Sequence, residues 1–292
     1  MQKLTITSIA HLEVTSGCDL NCPGCWGPPT RIENRDIDDF KQVIKKLKYF
    51  GLTGIVLTGG EPTLVQKIDE FIKYAKIELG LNIVLQTDGV NLIKLMPKIA
   101  PYLDIVAVSL EASNSEIDFR RNKRGFEIGI SSIKYILEKF PQIQLRIGTC
   151  VFKQNFDDLE NIGNLLLDLK YGKRIKENES IWKLYQIQIP RLGKGENDAI
   201  LDSMLIETSD FNKKIDNLVE KFAGKIKVVR EANDTVISEI IIRPNGEVII
   251  TSNEKNENEV LTQHNIFDNF NATIKEILIA QNRKEDLKKI RN

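Results

Sequence analysis

Apolar residues follow two alternating patterns along this chain. Short apolar runs typical of buried strands alternate with longer stretches in which apolar residues recur every three or four positions, as in amphipathic helices. The helix-like stretches include Phe40, Val43, Ile44 and Leu47, and later Leu159, Ile162, Leu165, Leu166 and Leu169. The strand-like runs are IAHLEVT, GIVLT, NIVLQT, DIVAVSL, IQLRIGTCVF and WKLYQIQI. Repeated strand and helix units predict an α/β protein with a parallel sheet and functional residues at the carboxyl ends of its strands.

The pattern changes after about Gly224. Three short strand-like runs, KIKVVRE, SEIIIRP and EVIIT, precede a helix-like stretch near 272–279. Pro244, Asn245 and Gly246 lie between two of these runs and predict a turn. We interpret this region as an antiparallel C-terminal appendage.

Composition narrows the class of protein. The chain has 292 residues, enough for a large core, and no apolar run approaches the roughly 18 to 20 residues that a membrane span needs. The first residues lack the pattern of a secretory signal, so we expect a soluble, cytoplasmic protein. Lys+Arg and Asp+Glu both total 41, so no overall field favours a nucleic acid or a membrane as partner.

Three of the four cysteines lie close together after the first predicted strand. Cys18, Cys22 and Cys25 are too near one another for a disulfide framework, and a metal site explains them better. Three thiolates from one loop suit an iron-sulfur cubane and leave its fourth iron open. A structural zinc ion is the alternative, but it needs a fourth ligand such as His11 or the distant Cys150.

A second motif, TGGEPTL, follows the second predicted strand. Gly59 and Gly60 permit close backbone approach, and Glu61, before Pro62, can accept a charge-assisted hydrogen bond from an ammonium group. Alone, this segment would predict only a turn. Together with the cysteine loop one strand earlier, it indicates a shared site.

This pair of motifs, CX3CX2C and then GGEP, resembles the signature of the radical S-adenosylmethionine (radical SAM) superfamily. The resemblance implies that Cys18, Cys22 and Cys25 hold one 4Fe-4S cluster whose open iron chelates the amino and carboxylate groups of S-adenosylmethionine (SAM). It also implies that the GGEP segment binds the amino group. Electron transfer would then yield methionine and a 5'-deoxyadenosyl radical.

Weaker similarities to the same family continue along the chain. LQTDG, with Thr87 and Asp88, resembles the family's TNG segment, and VSLE, with Ser109 and Glu111, resembles its SLD segment. The resemblance implies that these residues face the ribose or carboxylate of SAM, although strand-end capping is an equally good interpretation. Arg146 on the fifth strand could meet a carboxylate inside the barrel or form a surface ion pair.

Three further features allow two interpretations each. Family members often have an aromatic residue before the third cysteine. Here that position is Gly24, and the aromatic residue is Trp26, directly after the cysteine. Trp26 either contacts the cofactor or packs the loop. By alternation, Cys150 lies on the same strand face as Arg146. Its thiol is either a hydrogen-atom donor or a small core side chain. The basic run at Arg120, Arg121, Lys123 and Arg124 predicts a solvated loop or a grip on an acidic substrate.

The resemblance extends beyond the barrel. Residues 190–197, IIIRPNGEVIIT and HNIFDNF resemble the molybdopterin-precursor and peptide-maturase branch, whose C-terminal SPASM or twitch domains carry auxiliary clusters. No cysteine follows Cys150, so the resemblance implies a twitch-like cap without a cluster. The expected fold is a partial (β/α)6 TIM-like barrel over residues 1–224 with a small α+β cap over residues 225–292.

The expected function is therefore radical chemistry on a peptide or a peptide-derived natural product, with an electron donor such as flavodoxin or ferredoxin. Two other enzyme functions stay open. One is epimerase, dehydrogenase or mutase chemistry on a sugar, aminocyclitol or nucleoside, and the other is activation of a glycyl-radical enzyme, because CPGCW resembles an activase loop. A zinc-binding or RNA-binding module is disfavoured by the neutral net charge and by GGEP.

Overall fold

A computed structural model of the protein describes residues 9–28, 32–171, 180–188, 198–233, 239–251 and 259–280. Its strands are β1 (Ile9–Glu13), β2 (Gly54–Thr58), β3 (Asn82–Thr87), β4 (Ile105–Ser109), β5 (Gln144–Val151), β6 (Ile181–Gln186), β7 (Lys227–Glu231), β8 (Ile240–Ile242), β9 (Val248–Thr251) and β10 (Glu259–Leu261). Its α-helices are α1 (Ile37–Tyr49), α2 (Ile68–Ile77), α3 (Leu92–Ile99), α4 (Asn122–Lys139), α5 (Leu159–Asp168), α6 (Asp198–Asp202), α7 (Thr208–Lys221) and α8 (Phe270–Ala280). The segment 190–197 lies outside the described residues.

The strands form one sheet in the order β10-β9-β8-β1-β2-β3-β4-β5-β6-β7. From β1 to β7, each strand runs parallel to the next one in the chain. Parallel neighbours need a crossover connection, and at least one α-helix lies between each pair. This arrangement confirms the predicted α/β class and the open, partial barrel.

Residue alternation separates the two faces of the sheet. Along β5, burial alternates at every position. Leu145, Ile147 and Val151 belong to the main hydrophobic core that the helices cover. Arg146, Gly148 and Cys150 occupy the opposite, concave face. We call the space enclosed by that face the lumen.

The helices bury the stripes that the sequence predicted. Helix α1 begins after Asp36, whose carboxylate accepts a hydrogen bond from the Asp38 N–H, and it buries Phe40, Val43, Ile44 and Leu47. Helix α5 buries Leu159, Ile162 and Leu166. None of the helices in the described part of the chain combines the length and apolar composition that crossing a membrane requires.

The C-terminal strands join both edges of the barrel sheet. Strand β7 pairs in parallel with β6, and β8 pairs in parallel with β1, whereas β9 runs antiparallel to β8. The prediction of an antiparallel appendage is therefore confirmed for the pair β8 and β9 and was wrong for β7, while the parallel pairing of β8 with β1 was not predicted. Helix α7 returns the chain to the starting end before β7, which permits parallel pairing. The turn before β9 is confirmed, with Gly246 at φ 89°. A domain boundary at 224/225 stays a prediction.

Candidate functional site

The cysteine loop and the glycine motif lie together at the carboxyl ends of β1 and β2. The Gly60 N–H donates to the carbonyl oxygen of Thr15 at 2.7 Å, and the Glu61 N–H donates to that of Gly17 at 2.7 Å. These backbone bonds continue the ladder between the two strands into their loops. The start of the cysteine loop is therefore held directly against TGGEP.

Glycine is required where the two loops meet. A Cβ on Gly59 would lie 2.5 Å from the Thr15 carbonyl oxygen, and one on Gly60 would lie 2.1 Å from that of Gly17. A Cβ on Gly27, beyond the last loop cysteine, would lie 2.8 Å from the Gly59 carbonyl oxygen. No side chain fits at these three positions, which explains the close approach that the sequence predicted.

The three loop cysteines fit a metal cluster. Cys18, Cys22 and Cys25 are free thiols on one loop, and Cys22 interacts electrostatically with both of the others. Burial raises the pKa of Cys22 to about 11, so its thiol stays protonated until a cation displaces the proton. Three such sulfur donors match the ligand set of a 4Fe-4S cluster with one open iron.

Glu61 is used within the protein. Its buried carboxylate accepts hydrogen bonds from the N–H and hydroxyl of Thr63 at 2.9 and 2.5 Å, from the Thr87 hydroxyl at 2.7 Å and from the Asp88 N–H at 2.7 Å. An ammonium group, as the sequence predicted, would have to share oxygens that four protein donors occupy. The structure thus places Glu61 and Thr87 where they tie the glycine motif to the end of β3. Pro62, next in the chain, is buried and starts a 3-10 turn.

Asp88, after Thr87, faces the cysteine loop. One of its carboxylate oxygens lies 3.9 Å from Cys18 Sγ, and the other accepts a hydrogen bond from the Val90 N–H at 2.8 Å. Burial, followed by the negative charge of Glu61, raises the pKa of Asp88 to about 8. Asp88 therefore brings a carboxyl group to the rim of the predicted cluster site.

Arg120 connects the cysteine loop to the end of β4. Its guanidinium donates to the carbonyl oxygens of Pro23 at 3.0 Å and Gly24 at 3.2 Å, and to the Glu111 carboxylate at 3.0 Å. The second Glu111 oxygen accepts a hydrogen bond from the Cys150 N–H at 2.7 Å. The structure thus places Glu111 under the cysteine loop. The ion pair between Arg120 and Glu111 joins that loop to the ends of β4 and β5 and to the segment before α4.

The prediction that the basic run forms a solvated loop was wrong for part of the run. Arg121 is 2% exposed, and its guanidinium donates to the carbonyl oxygens of Ser109 and Asp88. Ser109 therefore supports Arg121 through its backbone. Arg124, in contrast, is exposed and pairs with Asp19 at 2.9 Å. The arginine pair after VSLE marks the region as basic, but it does not indicate which arginines of the run are buried.

Cys150 and Trp26 differ in their surroundings. Cys150 is on the lumen face of β5 and packs against a small apolar cluster that includes Phe152 and Met204. Burial raises its pKa to about 12, and Cys22 is among its electrostatic neighbours. Trp26 is 37% exposed, so much of its ring remains available for a further contact.

The lumen wall at β1 and β8 carries charged side chains. The Glu13 carboxylate lies 4.0 Å from the Arg243 guanidinium, and both groups are buried. Burial raises the pKa of Glu13 to about 8, against the opposing effect of Arg243. His11 contacts the Glu239 carboxylate at 3.2 Å.

The opposite wall, at β5, β6 and β7, is richer in cations. Lys183 pairs with Glu231 and lies 4.7 Å from the ring centroid of Tyr185. Arg146 lies near Lys183 and interacts with it electrostatically. The Arg146 Nε is buried and has no hydrogen-bond partner among the described residues. The structure therefore places Arg146 inside the barrel rather than in a surface ion pair.

Two curated proteins match most of the chain. An S-adenosylmethionine-dependent nucleotide dehydratase of Flammeovirga pacifica is 24% identical over 259 residues, which cover 85% of this chain and 82% of that protein. A second protein of the same name, from Lacinutrix mariniflava, is 26% identical over 243 residues, which cover 78% of this chain and 47% of that protein. The chain therefore spans about half the length of the second relative.

A solved structure and a family model agree with the fold and the motifs. The crystal structure of Streptococcus suis SuiB has a TM-score of 0.68 and 15% identity, with 93% of this chain and 66% of SuiB covered. SuiB has also been solved with S-adenosylmethionine and with its precursor peptide SuiA. The model of the radical SAM superfamily matches residues 12–166, more than half of the chain. The chain therefore belongs to the radical SAM superfamily, whose cofactors are a 4Fe-4S cluster and S-adenosylmethionine.

Proposed function

We propose that this radical SAM enzyme cleaves SAM reductively to methionine and a 5'-deoxyadenosyl radical, which abstracts a hydrogen atom from a substrate in the lumen. The observation that carries the proposal is the cysteine loop hydrogen-bonded to TGGEP at the ends of β1 and β2. Cys18, Cys22 and Cys25 would hold the cluster, which supplies the electron for the cleavage when it is bound.

The residues around the loop would position the cofactors. Gly59 and Gly60 expose backbone next to the cysteine loop, and Arg120 fixes that loop to β4. Thr87, Ser109 and Glu111 would then act indirectly, since they hold Glu61, Arg121 and Arg120 in place. Trp26 keeps the exposed ring that an adenine contact needs. We expect reduced flavodoxin or ferredoxin as the electron donor in the cytoplasm.

Anaerobic reconstitution tests this proposal. The wild type should show the broad visible absorbance of a 4Fe-4S cluster and, once reduced, should convert SAM to 5'-deoxyadenosine and methionine. Cys22→Ala should lose the cluster, whereas Cys150→Ala, the matched change of a thiol outside the loop, should keep it. A reducible wild-type cluster that never yields 5'-deoxyadenosine would refute the radical assignment.

A peptide or peptide-derived natural product is the first candidate substrate. It is supported by the likeness in fold to SuiB, which binds its precursor peptide. The part of this chain that matches SuiB includes the C-terminal strands, because the match covers 93% of the chain. We expect a peptide encoded beside this gene to stimulate the formation of 5'-deoxyadenosine at least ten-fold.

A phosphorylated nucleoside is the second candidate. The two nucleotide dehydratases support it, since they match 85% and 78% of the chain. The cationic wall at Arg146 and Lys183 also suits phosphate. A panel of ribonucleoside triphosphates assayed beside the peptide would discriminate the two, because the true substrate alone should raise the rate of SAM cleavage.

A further inference from the structure

Arg146 forms no ion pair with a carboxylate of the described residues. Its neighbour Lys183 pairs with Glu231 and interacts electrostatically with Glu239, so these carboxylates are directed to Lys183. The Arg146 Nε is buried and donates no hydrogen bond to the described residues. A buried N–H without an acceptor is costly, and a bound anion would supply the acceptor.

Small residues follow Arg146 on β4 and β5 toward the cysteine loop. Ala107 is the register neighbour of Arg146, and Ser109 is that of Gly148, the next lumen position of β5. The absence of a side chain at Gly148 matters, because a Cβ there would lie 3.3 Å from the Tyr185 ring. Strands β4 and β5 therefore place no bulky side chain between Arg146 and the level of Ser109, and the Tyr185 ring lies against Gly148.

The depth of Arg146 separates it from the cofactor site. Cys150, at the level of the cysteine loop, has Cys22 and Cys25 as electrostatic neighbours. Arg146 lies four residues earlier on the same strand, roughly 13 Å deeper at about 3.3 Å per residue. SAM must reach the iron held at the loop, so a group at the depth of Arg146 is better placed for the far end of a substrate.

We propose that Arg146 binds an anionic group of the substrate, a carboxylate or a phosphate, deep in the lumen. This inference rests on the proposed function and assigns Arg146 to the substrate rather than to SAM. The planar guanidinium offers two parallel donors that match either anion. An anion held there leaves the other end of the substrate directed to the cysteine loop, where the hydrogen atom is removed.

Titration calorimetry with two probes tests the proposal on the reconstituted, full-length enzyme. Inorganic pyrophosphate represents the phosphate source and glutarate the carboxylate source. The wild type should bind at least one probe, Arg146→Gln should weaken that binding ten-fold or more, and Arg146→Lys should recover part of it. Arg230→Gln is the matched control, because Arg230 is an exposed arginine that pairs with Asp216.

A parallel titration with SAM distinguishes the two possible ligands of Arg146. The proposal expects Arg146→Gln to weaken probe binding much more than SAM binding. It is overturned if the wild type binds neither probe, if Arg146→Gln and Arg146→Lys both bind the probes like wild type, or if SAM binding falls as much as probe binding. Formation of 5'-deoxyadenosine by the wild type tests the proposed function separately.

Discussion

At the scale of single residues, Glu13 makes the stability of the barrel depend on pH. Burial raises its folded-state pKa to about 8 from an ordinary value of 4.5. The folded state therefore keeps a proton that the unfolded chain releases. The stabilisation from this carboxyl is fully present below pH 4.5 and is lost as the pH rises toward about 8, at up to about 1.4 kcal/mol per pH unit.

Glu13→Gln, a neutral side chain of similar shape, should remove this dependence. Relative to wild type, the variant should gain about 1 kcal/mol or more in free energy of unfolding between pH 5 and pH 8, measured by urea denaturation. Glu247→Gln changes the more exposed neighbour of Arg243 and should leave the wild-type pH slope largely intact. Parallel pH profiles for Glu13→Gln and wild type would contradict the prediction.

Cys150 is our candidate hydrogen-atom donor. It lies on the lumen face, and burial raises its pKa to about 12, so the S–H bond that a donor needs is intact at neutral pH. If the reaction is an epimerisation, Cys150→Ala and Cys150→Ser should both form 5'-deoxyadenosine with the true substrate but lose the product. Unchanged product formation in both variants would return Cys150 to a packing role.

Part of this site could be predicted from the sequence because its geometry is local. The three loop cysteines and the glycines of TGGEP lie within short segments, and their close approach needs no knowledge of the fold. The role of Arg120 could not be predicted, since its carbonyl acceptors in Pro23 and Gly24 lie 97 and 96 residues away. The orientation of Glu61 depended in the same way on Thr87 in the next strand.

At the scale of elements, Arg120 determines how firmly the cysteine loop is held on β4. Arg120→Lys keeps the charge but loses the fork that reaches Pro23, Gly24 and Glu111 together. Each lost charge-assisted bond is worth about 1.5–3 kcal/mol. The variant should therefore retain several-fold less iron after gel filtration with a chelator.

The matched control is Arg230→Lys. Arg230 lies on β7, outside the cysteine loop and its contacts, and its ion pair with Asp216 is exposed, so it contributes little. Iron retention in this variant should equal that of wild type. Equal retention in Arg120→Lys would show that the loop does not need its link to β4.

The hairpin between β8 and β9 depends on Gly246. A Cβ there would lie 2.2 Å from Asn265 Oδ1, and the backbone has φ 89°. Gly246→Ala should thus lower the free energy of unfolding by about 2 kcal/mol or more. Gly80→Ala, at φ +59° with open space around the Cβ, should cost only about 1 kcal/mol. Equal losses in thermal melts would mean that the hairpin absorbs the clash.

At the scale of the whole molecule, the sequence predicted the barrel better than its edges. Hydrophobic period depends on neighbouring residues, so repeated strands and helices are visible in a single chain. The position of β8 beside β1 is not visible in the same way, because Ala10 pairs with Ile240 from the far end of the chain. Short apolar runs such as KIKVVRE do not encode the direction of their neighbours, which is why the antiparallel prediction failed for β7.

The metal content follows from the number of thiols in the whole chain. An auxiliary 4Fe-4S cluster needs several thiolates, and of the four cysteines only Cys150 lies outside the loop. We therefore predict about four irons per fully reconstituted chain, as one cubane requires, and almost none after replacement of Cys18, Cys22 and Cys25. Iron analysis with Mössbauer spectroscopy measures both values.

The C-terminal strands should then contribute packing and polar contacts to the lumen, as Arg243 does beside Glu13, rather than a second metal. A reproducible value near eight irons would contradict this prediction, provided that the excess survives the triple replacement. Such a result would mean that ligands other than thiolates hold a second cluster. Cys150→Ala should leave the iron content of the wild type unchanged, because a single thiol cannot hold an auxiliary cubane.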